Sequence, residues 1–360
     1  MSANINTYLK KIVIITQPEV VDTTGGAITS FINISDYLST NYSVNGVCYS
    51  TKEGKPKVKD SVNFVNLYKY YNGVLDYSKS LNKFIEEINP DLIIFFFPNL
   101  YAQANLNVKF NSIPRMLLFR SRPDFYFKYF SETEDELKKQ YINTTAQILF
   151  PSYKKLLPDF IKNGPVVCIA NPTKQEIEYV DSSKEKKKII YLSRIDSVWK
   201  GHDFLLKSFS LIAKKYPEWS LDIYGQSQPP KKEEDLKEYA KILGIEKQVN
   251  FCGITKEPFK TYLNYDFCVF PSYFEGFPLG LAEAMSTGLP AIGFEETSGV
   301  NELIKDNING FLCKENYKDF AKKIEILVVN KKLRMEFSKS AIKEMQKYSA
   351  EKIFNKWETT

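Results

Sequence analysis

Residues 267–290 read FCVFPSYFEGFPLGLAEAMSTGLP, and this stretch decides the fold. It begins with the continuous apolar run Phe267–Phe270, which is typical of a parallel strand covered on both faces. A loop rich in glycine and proline follows, and a helix is predicted from Leu279 onward. A strand, a loop and a helix in this order form one unit of a layered α/β domain.

The same alternation extends outward from this unit in both directions. Helices are predicted at 27–38, 74–88 and 132–141 in the first half, and at 203–215 and 232–243 in the second. The other predicted strands are Lys11–Thr16, Val44–Tyr49, Leu92–Phe97, Arg115–Phe119, Gln147–Phe150, Lys188–Leu192, Ser220–Tyr224 and Val249–Phe251. Two consecutive alternations predict an α/β fold of two Rossmann-like domains that face one another across a cleft, the expected binding site.

A hinge and a charged linker set the expected limits of the domains. Asn171-Pro172-Thr173 and the stretch 181–188 separate an N-terminal domain at 1–175 from a C-terminal domain at 176–342. The last segment, 343–360, is expected to form a helix that packs back on the N-terminal domain. A length of 360 residues agrees with two domains, because it exceeds what one hydrophobic core usually supports.

Composition argues against several classes of protein. The net charge of +6, from 49 basic and 43 acidic residues, is too small to imply nucleic-acid binding. The five cysteines are widely spaced without a C-x-x-C pair, so we expect reduced core thiols. No secretory signal and no apolar run of roughly 18 to 20 residues is found. We therefore expect a cytoplasmic chain, or one at the inner face of the cell membrane. The aromatic and basic segments 67–72 and 125–130 would form an acceptor platform or contact the membrane interface, and the alternative is ordinary packing.

Two carboxylates, Glu275 and Glu283, lie eight positions apart in the opening stretch. Glu275 precedes a helix whose first amides, near residues 277–280, would present free N–H groups and a positive dipole end to a diphosphate. The carboxylates themselves suit hydroxyl groups, one on a ribose and one on a hexose. The structural alternative is that Glu275 caps the helix and Glu283 lies on a solvated face.

A pair of cations follows the strand 188–192. Arg194 and Lys200 lie six residues apart in one loop, where they would converge on the phosphates of a leaving nucleoside diphosphate in place of Mg²⁺. The alternative is ordinary surface charge. The sequence has no Asp-x-Asp pair, histidine cluster or cysteine ligand spacing, so we expect no metal and no cofactor. The single histidine, His202, is expected to be a capping or surface residue.

These motifs resemble those of the family 4 glycosyltransferases, which have the GT-B fold. The resemblance covers about residues 188–315. The matching segments are Arg194–Gly201, Tyr224-Gly225, Phe251–Gly253, Glu275–Met285, 298–304 and 309–312, and the fourth of these contains the family's Glu-x7-Glu element. The resemblance implies a retaining, metal-independent enzyme. Such an enzyme would transfer a hexose or N-acetylhexosamine from a UDP- or GDP-sugar, UDP being favoured, to a sugar or lipid-linked saccharide in surface polysaccharide or glycoconjugate synthesis.

The resemblance also implies the roles of particular residues. Arg194 and Lys200 would hold the donor phosphates and, with Glu275 at the transferred sugar, form the catalytic set. The implied donor-binding residues are Gly26, Gly225, Gly253, Phe277, Pro278, Leu279, Gly280 and, at the ribose, Glu283. The leaving diphosphate would help to deprotonate the incoming hydroxyl on the same face of the sugar. Stabilising charge on the leaving group would then be the main task of the site.

The first half departs from the family pattern. Gly25-Gly26 corresponds to the glycine-rich loop beside the donor phosphates and the acceptor. Many relatives carry a histidine near the reacting sugar, where this chain has Arg120-Ser121-Arg122-Pro123-Asp124. We therefore expect acceptor contacts from Gly25, Arg120, Arg122 and Asp124. The alternative is that the two arginines simply pair with Asp124 or with glutamates.

Two other classes of protein stay open. One is a non-catalytic nucleotide-sugar-binding protein of the same fold, against which the intact Glu275, Glu283, Arg194 and Lys200 argue. The other is a nicotinamide-dependent dehydrogenase, since glycine loops after strands are common to dinucleotide binders. The loop at Gly25 lacks the G-x-G-x-x-G spacing of that class.

Overall fold

The computed structural model describes residues 9–17, 26–129, 132–174, 178–195, 199–227 and 231–360. The chain forms two compact units. The first comprises Met1–Ala170 with Lys356–Thr360, and the second comprises Asn171–Asn355. The predicted domain limits at residues 175 and 342 differ from the bounds of these units and stay predictions.

The first unit contains a seven-stranded parallel sheet. Its strands are β1 Lys11–Ile15, β2 Ser43–Cys48, β3 Val62–Asn66, β4 Leu92–Phe95, β5 Arg115–Leu118, β6 Thr144–Ile148 and β7 Val166–Cys168. Its helices are α1 Gly26–Leu38, α2 Leu67–Tyr70, α3 Tyr77–Ile88, α4 Pro98–Ala104, α5 Pro123–Tyr129, α6 Glu132–Gln140 and α7 Asp159–Lys162, with 3₁₀ turns at Val108–Phe110 and Pro151–Leu156. The strand order is β3-β2-β1-β4-β5-β6-β7.

The second unit contains a six-stranded parallel sheet. Its strands are β8 Lys188–Leu192, β9 Ser220–Tyr224, β10 Val249–Phe251, β11 Phe267–Phe270, β12 Ala291–Phe294 and β13 Gly310–Cys313. Its helices are α8 His202–Ala213, α9 Lys231–Ile242, α10 Pro258–Tyr262, α11 Leu279–Ser286, α12 Val300–Leu303, α13 Tyr317–Val329 and α14 Lys331–Met345; a 3₁₀ turn, Gln346–Tyr348, and α15 Ala350–Glu358 follow. The strand order is β10-β9-β8-β11-β12-β13.

Both sheets reverse their strand order beside their first strand. The reversal lies between β1 and β4 in the first sheet and between β8 and β11 in the second. This is the doubly wound order, in which ligands bind at the carboxyl ends of the strands where the order reverses. The prediction of two Rossmann-like α/β units is therefore confirmed.

The β-branched runs of the sequence form the centres of both sheets. Val13, Ile14 and Ile15 in β1 are fully buried, and so are Ile189 and Ile190 in β8. Strands covered on both faces need such unbroken apolar runs. The helix predicted from residue 74 begins three residues later, because the Asp76 side chain caps it by accepting a hydrogen bond from the Lys79 amide.

Two predictions from the sequence were incomplete, namely the set of strands and the burial of the cysteines. Strands β3, β7, β12 and β13 were not predicted, because they are only three to five residues long and each of them carries Asn, Gly or Cys. The prediction of core thiols holds for Cys48, Cys268 and Cys313, whereas Cys168 is half-buried and Cys252 is exposed. Cys252 follows the end of β10, an edge strand that has a neighbouring strand on one side only.

None of the helices in the part of the chain that the structure describes has both the length and the apolar character that are needed to cross a membrane.

Candidate functional site

The predicted site residues of the second half come together at one edge of the second sheet. Strands β8 and β11 pair in parallel, with Ile190 opposite Cys268, so their carboxyl ends lie side by side. Arg194 follows β8 and is exposed. Lys200 lies just before α8, and Glu275 lies in the loop between β11 and α11. This edge is the switch point at which doubly wound sheets bind ligands.

Lys200 and Glu275 form a close ion pair. The Lys200 Nζ donates to Glu275 Oε1 at 2.6 Å, and the side chains are only 15% and 10% exposed. Such shielding strengthens the attraction over that of a solvated surface pair. The N-cap of α11 is Pro278, which has no side-chain capping bond, so the alternative in which Glu275 caps this helix is wrong.

The turn that carries Lys200 is pressed against the loop after β11. The Tyr191 hydroxyl donates to the Lys200 carbonyl at 2.7 Å, and the Tyr273 amide donates to the Trp199 carbonyl at 2.8 Å. Gly201 has a φ of +63°, and a Cβ there would lie 2.2 Å from the Pro271 carbonyl oxygen. A glycine is therefore required for the approach that brings the ammonium to the carboxylate.

The start of α11 packs against the end of β8. A Cβ on Gly280 would lie 3.0 Å from the Leu192 carbonyl oxygen, and the Tyr262 hydroxyl donates to the Gly280 carbonyl at 3.0 Å. The Phe277 ring is buried edge-on against Tyr348, with centroids 5.5 Å apart. Because the ring is buried within the protein, the predicted contact of Phe277 with a ligand is one made by its backbone.

Glu283 lies within α11 and is half-buried. Burial raises the pKa of this carboxyl to about 7 from its ordinary value of 4.5. The reading of Glu283 as a solvated residue is therefore wrong. Near neutral pH the group exists in both protonation states, so it can accept a hydrogen bond from a hydroxyl or donate one to it.

The raised pKa of Glu283 predicts a pH dependence of stability. Between about pH 4.5 and 7 the unfolded chain has lost this proton while the folded chain keeps it, so the free energy of unfolding falls as pH rises through that window. The loss is about 3 kcal/mol at most. Glu283→Gln should remove this part of the slope, which unfolding titrations of both proteins at pH 5 and pH 8 measure. Identical slopes would mean that Glu283 ionises normally.

Gly225 and Gly253 follow the ends of β9 and β10, at the same edge of the sheet as the site. The Gly225 amide donates to the Gly253 carbonyl at 2.8 Å. Gly225 has a φ of +152°, and a Cβ there would lie 1.8 Å from the Ser193 carbonyl oxygen, next to Arg194. Gly253 has a φ of +66° with open space around it. Of these two positions, only position 225 requires a glycine because of a close backbone contact.

This difference predicts unequal effects of two alanine substitutions. Gly225→Ala must push the backbone at Ser193 away, so we expect a loss of about 3 kcal/mol in the free energy of unfolding. Gly253→Ala should lower the free energy of unfolding by only about 1 kcal/mol, the cost of a left-handed backbone conformation at an alanine. Chemical denaturation of both variants measures the difference. Equal losses would contradict the close packing of β9 on the loop after β8.

His202 is neither exposed nor a helix cap, so the expectation for it is wrong. It is the first helical residue of α8, it is 1% exposed, and its ring packs on Tyr191 with centroids 4.9 Å apart. Burial lowers the pKa of the imidazole to about 3, which keeps it neutral. A neutral ring avoids placing a second cation beside Lys200.

The predicted acceptor residues of the first unit are occupied within the protein. Arg120 is 8% exposed; it donates to Gln147 Oε1 at 3.2 Å and to Ser30 Oγ, and it lies over the Phe96 ring. Burial lowers its pKa to about 10. Arg122 binds both carboxylate oxygens of Asp124, at 3.0 and 2.7 Å.

The glycines predicted for the first unit are described in part. Gly26 is the first residue of α1. Gly25 lies outside the described residues.

The sequence analysis missed the residues that brace the second-sheet site. Thr297 Oγ1 donates to the Ser272 carbonyl at 2.6 Å, and both residues are buried. Tyr191 supports the Lys200 backbone, as described above. The sequence signal for Tyr191 was a tyrosine beside the aliphatic residues of strand β8.

Comparisons with known proteins show similarity to glycosyltransferases. Residues 173–344 match the family model for glycosyl transferases group 1. A Haemophilus influenzae protein named "Uncharacterized glycosyltransferase" is 28% identical, over 94% of this chain and 96% of that protein. The poly(ribitol-phosphate) alpha-N-acetylglucosaminyltransferase of Staphylococcus aureus is 26% identical, over 91% of this chain and 70% of its own length.

A solved structure shares the fold. The pneumococcal O-GlcNAc transferase GtfA, in complex with UDP and GlcNAc, superposes with a TM-score of 0.78 at 13% identity, covering 98% of both chains. The fold is that of glycosyltransferase structures with the GT-B architecture, and the second half of the chain is similar to glycosyl transferases group 1. The group 1 region corresponds to most of the second unit, which holds the Lys200–Glu275 pair.

Proposed function

We propose that this chain is a retaining glycosyltransferase that moves a hexose or N-acetylhexosamine from a nucleotide-sugar, UDP rather than GDP, to a saccharide or lipid-linked saccharide. The observation that carries the proposal is the Lys200–Glu275 pair beside the start of α11. The ammonium and the helix amides suit a diphosphate, and the carboxylate suits sugar hydroxyls. The UDP and GlcNAc bound to GtfA support a UDP-sugar as the donor.

The proposed reaction needs charge stabilisation and no protein nucleophile. The bond between the sugar C1 and the diphosphate oxygen breaks, and a bond from C1 to the acceptor oxygen forms on the same face. The acceptor proton moves to the leaving diphosphate. Arg194 and Lys200 stabilise the charge that develops on that diphosphate, in the role that Mg²⁺ takes elsewhere. The proposal therefore includes no metal and no cofactor.

The proposal assigns the remaining contacts to residues of the same edge. Glu275 accepts hydrogen bonds from the transferred sugar, and Glu283 binds the ribose. The backbone at Gly225 and at the start of α11 approaches the diphosphate without hindrance from side chains. We place the reaction in surface polysaccharide or glycoconjugate synthesis, in the cytoplasm or at the inner face of the cell membrane, without a nucleic-acid partner.

Nucleotide binding tests the proposal. The thermal unfolding midpoint of the full chain is measured with UDP, GDP, ADP and NAD, since a ligand of the folded state raises it by mass action. We expect the largest rise with UDP. UDP-sugars that bind are then incubated with saccharide acceptors, and the anomeric configuration of the product is read by NMR. A rise with NAD alone, or an inverted product, would contradict the proposal; UDP binding without turnover would indicate a non-catalytic binding protein.

A further inference from the structure

A cavity of about 290 Å³ lies at the switch point of the first sheet. Thr16 and Gln17 follow β1, Tyr49 follows β2, and Asn99 and Gln103 belong to α4, which begins three residues after β4. Ligands of doubly wound sheets bind at this position, outside the carboxyl ends of the strands. The volume is at the lower end of the range for small-molecule pockets, about 300 to 1,000 Å³, and suits one sugar-sized unit.

Every side chain that lines this cavity is uncharged. Among the described residues, the carboxamides of Gln17, Asn99 and Gln103 have no hydrogen-bond partner. The Thr16 hydroxyl has none there either, although Thr16 is 3% exposed. A carboxamide offers one acceptor and two donor hydrogens, which matches neighbouring hydroxyls of a sugar that both donate and accept.

Two tyrosines form fixed apolar walls. The Tyr49 hydroxyl donates to the Leu75 carbonyl at 2.9 Å, and the Tyr77 hydroxyl donates to the Leu100 carbonyl at 3.0 Å. Their rings meet edge to face, with centroids 6.1 Å apart. Both phenols are thus held by the protein, and their rings are preorganised against the carbon faces of a ligand.

The cations of this unit do not make the cavity an anion site. Arg120 is engaged by Gln147 and Ser30, and Arg122 by Asp124. Exposed lysines follow β2 at positions 52, 55, 57 and 59, and none of them lines the cavity. A phosphate placed there would give up its hydration without gaining a counter-ion.

We propose that this cavity binds an uncharged sugar unit of the acceptor, through the carboxamides of Gln17, Asn99 and Gln103. The substrate class is then a neutral saccharide at that unit, in contrast to the polyol-phosphate chain in the name of the S. aureus relative. The inference rests on the proposed function only where it identifies the bound sugar as part of the acceptor. The saccharide site itself is independent of catalysis.

Ligand-observed saturation-transfer NMR on the full chain tests the site directly. The probes are the methyl glycosides of glucose, galactose and N-acetylglucosamine, with glycerol 3-phosphate and ribitol 5-phosphate as charged probes, each at about 10 mM to detect millimolar affinities. We expect a signal from at least one glycoside and none from the phosphates. The double variant Asn99→Ala with Gln103→Ala should lose that signal, whereas the exposed control Gln346→Ala should keep it.

The outcomes separate this inference from the proposed function. A glycoside signal that survives the double variant, a phosphate signal that the double variant abolishes, or the absence of any glycoside signal would overturn the saccharide site. An unchanged unfolding midpoint of the double variant, and an unchanged rise of that midpoint with UDP, show that the fold and the second unit are intact. If UDP fails to stabilise the wild-type chain while the glycosides behave as expected, the proposed function fails and the saccharide site stands.

Discussion

We expect Lys200→Ala to lower sugar transfer by about 100- to 1,000-fold, because in the proposed reaction it removes a cation from the place where the leaving diphosphate gains charge. The Lys200 side chain is only 15% exposed and its ammonium lies 2.6 Å from Glu275 Oε1, so little water is present to replace it. The substitution also leaves the Glu275 carboxylate without its partner, which should weaken binding of the donor sugar as well. Initial rates with a saturating UDP-sugar and a fixed acceptor measure the effect.

A matched lysine of the adjoining helix controls for the loss of positive charge. Lys207 lies in α8, seven residues further along, and its Nζ lies 5.5 Å from the centre of the Tyr317 ring. Lys207→Ala should leave the transfer rate within about twofold, since exposed charges contribute little. A Lys200→Ala protein that folds and keeps its transfer rate would show that another group neutralises the diphosphate.

The edge of the second sheet was predictable from sequence because its parts are local. The aliphatic runs of β8 and β11 place Arg194 and Glu275 directly after buried strands, and parallel strands end at a common edge. The glycine loops between strand and helix follow from the same pattern. The sequence of these segments therefore predicts that both residues lie at one edge of the sheet, and the structure agrees with that prediction.

The pairing between side chains was not predictable. Lys200 and Glu275 are 75 residues apart, and nothing in either segment specifies that their side chains meet. Arg120 shows the same limit. As an arginine in a polar segment it resembled a ligand for phosphate, yet the fold buries it against Ser30 and Gln147. Only tertiary packing distinguishes a buried guanidinium that is bonded within the protein from one that is open to a ligand.

The ion pair itself leads to the second large prediction, for Glu275→Gln. We expect transfer to fall about 100-fold, because a carboxamide is a weaker acceptor than a carboxylate for the hydroxyls of the transferred sugar. We expect UDP to bind more tightly, by about three- to tenfold, or about 0.7 to 1.4 kcal/mol. UDP lacks the transferred sugar, so it loses no contact when Glu275 changes, and it no longer competes with a carboxylate for the Lys200 ammonium.

Calorimetric titration with UDP, together with transfer rates, distinguishes two roles of this carboxylate. If Glu275 only holds the sugar, transfer falls and the affinity for UDP is unchanged. If it also occupies Lys200 until the donor arrives, transfer falls and the affinity rises. The exposed Glu296, on the loop after β12, provides the control Glu296→Gln, for which both quantities should stay near the wild-type values. Weaker UDP binding by Glu275→Gln would contradict both roles and mean that the carboxylate holds Lys200 in the position that the diphosphate requires.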